Sequence, residues 1–86
     1  GLTADATHWL ADRNVKLHGV EGPSTDRPNW TEFPSHRVCR DRGITHYEWV
    51  CNMEELLGEE EFFFSGVPLK LDNGSGSPVR AFAVLD

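Results

Sequence analysis

Cysteine is scarce in this chain of 86 residues: Cys39 and Cys51 are the only two, with no Cys-x-x-Cys and no second pair. Their scarcity excludes a zinc finger and a disulfide-stapled scaffold, and both thiols are expected to be buried in a reducing, cytoplasmic setting. Long apolar runs are also lacking. Phe62–Phe64 and Ala81–Leu85 fall far short of the roughly 20 residues that cross a bilayer, and no signal peptide opens the chain. Positive charge is thin as well, with 8 scattered Lys and Arg against 14 Asp and Glu and a net charge of −6. Nucleic acid and an anionic membrane surface are therefore not expected as partners.

What is present suits a soluble, folded segment: 38% hydrophobic and 26% charged residues, too apolar for a disordered chain. Gly1 is not a Met, and Leu2-Thr3-Ala4-Asp5 runs straight into a helix start, as in a chain cut from a longer one. Thr3 suits an N-cap, Asp5 the positive end of a helix, and Ala6, Trp9 and Leu10 recur at helical spacing, predicting a helix over 4–13. Alternation over Val15–Val20 predicts a strand. The stretch from Glu21 to Phe33 is rich in Gly, Pro, Ser, Asp and Asn and predicts a long loop, of the kind that lines sites. Pro34 and Gly43 bracket a short polar helix.

Ile44–Val50 is rich in β-branched and aromatic types and predicts a strand with Ile44, His46, Glu48 and Val50 on one side. Met53–Leu57 predicts a helical turn, Glu59–Glu61 a solvated acidic loop, and Phe62–Val67 and Val79–Leu85 two strands parted by the turn cluster 72–77. The class is mixed α/β.

Chemistry needs groups that bind a metal, move a proton or attack. His8 and His18 have no spaced partner and read as ordinary surface or core histidines. His36 and Glu48 come from adjacent elements, so an imidazole nitrogen and a carboxylate oxygen can converge there, a donor pair suited to Zn or Mn. His46 shares the strand face of Glu48 and is the alternative ligand. Two such groups are too few to define a site by themselves.

The run from Ser35 to Glu48, followed by Asn52-Met53-Glu54-Glu55-Leu56, is similar to the "His…Gly-Ile…Glu-Asn-Leu…Leu" signature of the cyclase family of metal-dependent hydrolases, of kynurenine formamidase type. Val67-Pro68-Leu69-Lys70-Leu71 and Gly76-Ser77-Pro78-Val79-Arg80-Ala81 resemble that family's later segments. Gly1-Leu2-Thr3 through Trp9-Leu10 and Gly19-Val20-Glu21-Gly22-Pro23-Ser24 resemble earlier ones, all in order. Glu21 stands where the family usually has Asp, and Trp49 where Asn is common. The family's N-terminal "His-x-Gly-Thr-His-x-Asp-x-Pro-x-His" run has no counterpart here.

The resemblance implies a mixed sheet with flanking helices, the C-terminal part of a cyclase/kynurenine formamidase-like (swivelling β/β/α) fold, with residues 1–86 a single segment of it. It also implies His36 and Glu48 as ligands of a divalent metal, Zn or Mn, that activates water against an amide, formamide or lactone carbonyl, with the proton-shuttling His on an absent N-terminal portion. Glu21, Ser24, Trp30 and Phe33 would line the pocket for a small-molecule substrate, and Arg80 would be structural. The chain is then expected to be inactive alone, to need the N-terminal portion or chain as partner, and to work as a homo-oligomer of the assembled unit. The alternative expectation is a non-catalytic binding or structural module that keeps the fold.

Overall fold

The computed structural model describes residues 1–29 and 31–86. They divide into two units, Gly1–Met53 and Glu54–Asp86. The architecture is a small mixed α/β one. In place of a single mixed sheet, the described residues carry two two-stranded sheets, one parallel and one antiparallel.

In the first unit, helix α1 spans Ala4–Asp12, its first turn closed by Thr3, whose Oγ1 accepts the Ala6 N–H at 3.0 Å. Helix α2 spans Pro34–Arg42 and ends on Gly43 in the left-handed conformation at φ 70°. Proline costs nothing at a helix's first position, where the N–H has no intrahelical partner, and glycine takes the left-handed cap without strain. Strands β1, Leu17–Gly19, and β2, Thr45–Tyr47, pair in parallel with His18 opposite His46. Parallel neighbours need a crossover, which the 20–33 segment and α2 supply.

The buried residues among those described fall into two sets. Val38, Cys39 and Ile44 are apolar; Thr7, Thr25, Asp26 and Ser35 are polar. The centre of this unit is therefore largely a hydrogen-bonded polar cluster. Helix α1 turns Thr7 inward, while Trp9 of its apolar stripe stays exposed beneath the Arg13 guanidinium, 3.5 Å from the ring centroid. Of the two cysteines only Cys39 is buried; Cys51 is exposed, against expectation. Burial pushes the Cys39 thiol up, so it stays protonated.

The predicted strand 44–50 shortens to three residues because Trp49 takes φ 57°, which interrupts the alternation. Asparagine tolerates this left-handed geometry better than a bulky ring does. Trp49 is exposed and has little packing to lose. Trp49→Asn is accordingly expected to raise stability by about 1 kcal/mol, read as a higher urea midpoint; a lower midpoint would show that the ring is held by contacts worth more than the strain.

A 3₁₀ turn, Met53–Leu56, begins where the first unit ends. In the second unit β3, Phe63–Ser65, pairs antiparallel with β4, Phe82–Val84, and a bridge between Pro68 and Val79 keeps the same register. Proline offers no N–H to a ladder, and the continuous pairing stops short of it. Glu59, Glu60 and Glu61 are exposed, as is Arg80 just ahead of β4. None of the described buried hydrophobic residues belongs to this unit.

Candidate metal centre

Asp26 organises the site from within the 20–33 loop. Helix α2 starts after Phe33, which offers no side-chain cap, and the Asp26 carboxylate takes over that role: Oδ1 accepts the Ser35 N–H at 2.7 Å and Oδ2 the His36 N–H at 3.0 Å. Ser24 shapes the approach, its Oγ accepting the Asp26 N–H at 3.0 Å. Oδ2 also lies 2.7 Å from His36 Nδ1. An ionised carboxylate can only accept, so Nδ1 carries the proton, and in the neutral ring Nε2 is left as a bare lone pair. Burial by itself would raise the Asp26 pKa; the hydrogen bonds from the His36 ring and the His36 and Ser35 backbones outweigh it and hold the carboxyl below its usual range.

The free edge of His36 faces a small cluster. His36 Nε2 and His46 Nε2 each lie 3.4 Å from Glu48 Oε1, and ligand atoms of the three residues all fall within 4.8 Å of one another. The two rings meet edge to face, 4.6 Å between centroids. Glu48 sits just past β2 rather than inside it, and its carboxylate nevertheless reaches both rings. A separation of 3.4 Å is long for an N–H···O hydrogen bond. It equals the edge, about 3.4 Å, of a tetrahedron with bonds of about 2.1 Å, the lengths typical of Zn with imidazole and carboxylate. Two imidazoles and a carboxylate, one imidazole carrying a carboxylate on its second nitrogen, form a donor set that fits a borderline divalent cation.

His18 was not expected here, yet it stacks on His46 across the parallel pair, 5.9 Å between centroids. Its protonation follows from a chain of hydroxyls. Thr7 donates to the Thr3 carbonyl at 2.8 Å, so it must accept from Ser35 at 2.8 Å; Ser35 then accepts from Thr25 at 3.0 Å, and Thr25 from His18 Nε2 at 2.9 Å. Each hydroxyl has one proton to give, so Nε2 of His18 carries the hydrogen and the buried, unpartnered Nδ1 is a bare acceptor. Burial, and next the neighbouring His46 and His36, push the His18 pKa down, which keeps the ring neutral. Ser35→Ala breaks the relay between two fully buried threonines and is expected to cost about 1–3 kcal/mol. Urea unfolding checks it; an unchanged midpoint would mean that the hydroxyls re-pair around the gap.

The other sequence candidates surround this cluster unevenly. Phe33, exposed and at φ 51°, sets its ring edge-on to His36 at 5.6 Å. Ser24 is half-buried and engaged with Asp26, Glu21 is exposed, and Trp30 lies outside the described residues. Asp26 and His18 were missed by sequence reasoning. A helix opening with Pro34 and no Ser, Thr or Asp just before it must find its N-terminal acceptor elsewhere, and that was the available signal for Asp26.

No family model matches the chain, and no solved structure matches it. Relatives named kynurenine formamidase do. The chain is 36% identical to one from Salinibacter ruber over 80 residues, covering 93% of this chain and 37% of that protein. It is 39% identical to one from Delftia acidovorans over 72 residues, 84% of this chain and 34% of that protein. It is 31% identical to one from Bacillus thuringiensis over 80 residues, again 93% and 37%. The chain thus spans little more than a third of the length of the relatives it matches. Over that length it is a homologue of proteins named kynurenine formamidase, in keeping with the cyclase-family motifs it resembles.

Proposed function

We propose that this chain supplies one half of the metal site of an amide hydrolase of kynurenine formamidase type, acting on an amide, formamide or lactone. His36 and Glu48 are the principal ligands and His46 a third donor. The observation that carries this reading is the convergence of their ligand atoms within 4.8 Å, in a chain homologous to kynurenine formamidases over 93% of its length. The cation is Zn or Mn, as the mixed imidazole and carboxylate donors suit. When bound, such an ion supplies Lewis-acid activation of water and of the carbonyl under attack.

This chain's own residues bind and orient. Asp26 fixes the His36 ring with Nε2 toward the cluster; Glu48 brings negative charge that offsets the cation; Phe33, Ser24 and Glu21 belong to the pocket wall for a small-molecule substrate. The remaining ligands and the proton-shuttling group fall to an N-terminal portion, joined to this chain or supplied as a separate one, and the assembled unit works as a homo-oligomer in the cytoplasm. The fold completed in this way is the swivelling β/β/α one.

Co-expression with the part of the Salinibacter ruber kynurenine formamidase that precedes the aligned stretch tests the reading. Aryl-formamide hydrolysis is expected from the pair and not from either piece. A cleanly folded pair without hydrolysis would contradict it.

A further inference from the structure

Among the described residues the second unit has no buried apolar side chain, and one face of its strand pair carries several exposed ones. The register sets Phe63 opposite Val84 and Ser65 opposite Phe82, and the Pro68–Val79 bridge continues it. Alternate residues of the first strand and its extension, Phe63, Ser65, Val67 and Leu69, therefore fall on the face that Phe82 and Val84 occupy, together with Arg80 opposite Val67. The five apolar residues of this face are exposed, Phe63 at 64%, Val67 at 74% and Phe82 at 48%. On the opposite face Phe64, Ala81 and Ala83 are half-buried, and Phe62 and Leu85 at its end, at 39% each, are less exposed than Phe63 and Val67. A stripe of this extent on a two-stranded sheet, which is at best marginally stable alone, marks a surface built to be covered.

We infer that the occupant of this stripe is the N-terminal portion of the same hydrolase, the polypeptide that makes up the rest of the relatives' length. Two observations select it over a second copy of this chain. The chain accounts for only 37% of a relative's length, so the larger part of the polypeptide against which these residues would pack lies outside it. The described buried hydrophobics, Val38, Cys39 and Ile44, all belong to the first unit, so the second by itself buries none of its large apolar side chains. This inference rests on the function proposed above only for the identity of the partner. It assigns the docking surface to residues remote in sequence from His36 and Glu48.

The test co-expresses the 86-residue chain with the tagged Salinibacter ruber portion and measures how much chain is retained on it, in EDTA so that binding does not depend on metal. Wild type is expected to co-elute as a one-to-one complex. Phe63→Lys and Phe82→Lys are expected to cut retention by about tenfold or more, as substitutions at the centre of an interface do. Both alter exposed side chains, and far-UV circular dichroism of each variant confirms its folding. Leu57→Lys, at a position 83% exposed and outside the stripe, is expected to bind like wild type. Retention of the stripe variants at wild-type levels would overturn the inference, as would no complex for wild type. A homodimer of the chain alone that the same substitutions split would overturn it in favour of a second copy. A stripe-dependent complex without metal or hydrolysis would uphold the docking surface and sink the hydrolase reading; activity in a complex indifferent to the stripe would do the reverse.

Discussion

Asp26→Ala is expected to weaken divalent-metal binding by about 10–100-fold, the usual effect of removing the carboxylate behind a ligand histidine, and to destabilise the first unit by about 2–4 kcal/mol. The two losses have separate causes. The His36 ring loses the acceptor that fixes its tautomer and aims Nε2, while the N–H groups of Ser35 and His36 at the start of α2 lose the carboxylate that caps them. Asp26→Asn separates them. It keeps the shape and one acceptor oxygen but sets an NH₂ against a backbone N–H or the ring, so it should fall between wild type and alanine. The pH dependence has a definite sign. Since hydrogen bonding holds the folded pKa below the ordinary carboxylate value, the Asp26 contribution is fully present above that ordinary value and is lost as pH falls through the folded one. Stability of wild type should therefore drop below about pH 4 more steeply than that of Asp26→Ala. Equal slopes would contradict the assignment.

His36→Ala and Glu48→Ala are expected to cost more in metal binding, about 100-fold each, since a structural Zn site gains roughly 10–16 kcal/mol from some four ligands together. His46→Ala should cost less. It reaches Glu48 at the same 3.4 Å as His36 does, yet among the described residues only His36 has a carboxylate on its other ring nitrogen, and a ring without that support is a poorer ligand. Removing Glu48 also takes away the carboxylate shared by two imidazoles whose centroids lie 4.6 Å apart.

Local punctuation made the helices legible. Pro34 and Gly43 mark α2 at both of its ends, and Thr3 marks the start of α1. Strand lengths were not legible, because alternation says what a residue could do and pairing depends on a partner: β1 and β2 share three residue pairs, and Trp49 then turns left-handed. The polar centre was invisible for a different reason. Thr7, Thr25, Asp26 and Ser35 follow no period, and their burial is explained only by the hydrogen bonds that join them across up to 28 residues of sequence. Within the candidate site, His36, Glu48 and His46 could be nominated as residue types on neighbouring elements. The carboxylate behind His36 and the imidazole stacked on His46 could not, since each is brought in by a segment that carries no metal-ligand spacing of its own.

The most direct test of the account is the metal content of the chain purified with its N-terminal partner, measured by elemental mass spectrometry after dialysis against metal-free buffer, for wild type and for His36→Ala and Glu48→Ala. Bound Zn or Mn in wild type that both substitutions remove, with the complex and its circular dichroism intact, is the predicted result. A folded wild-type complex without metal, or variants that keep it at the wild-type level, would contradict the central claim.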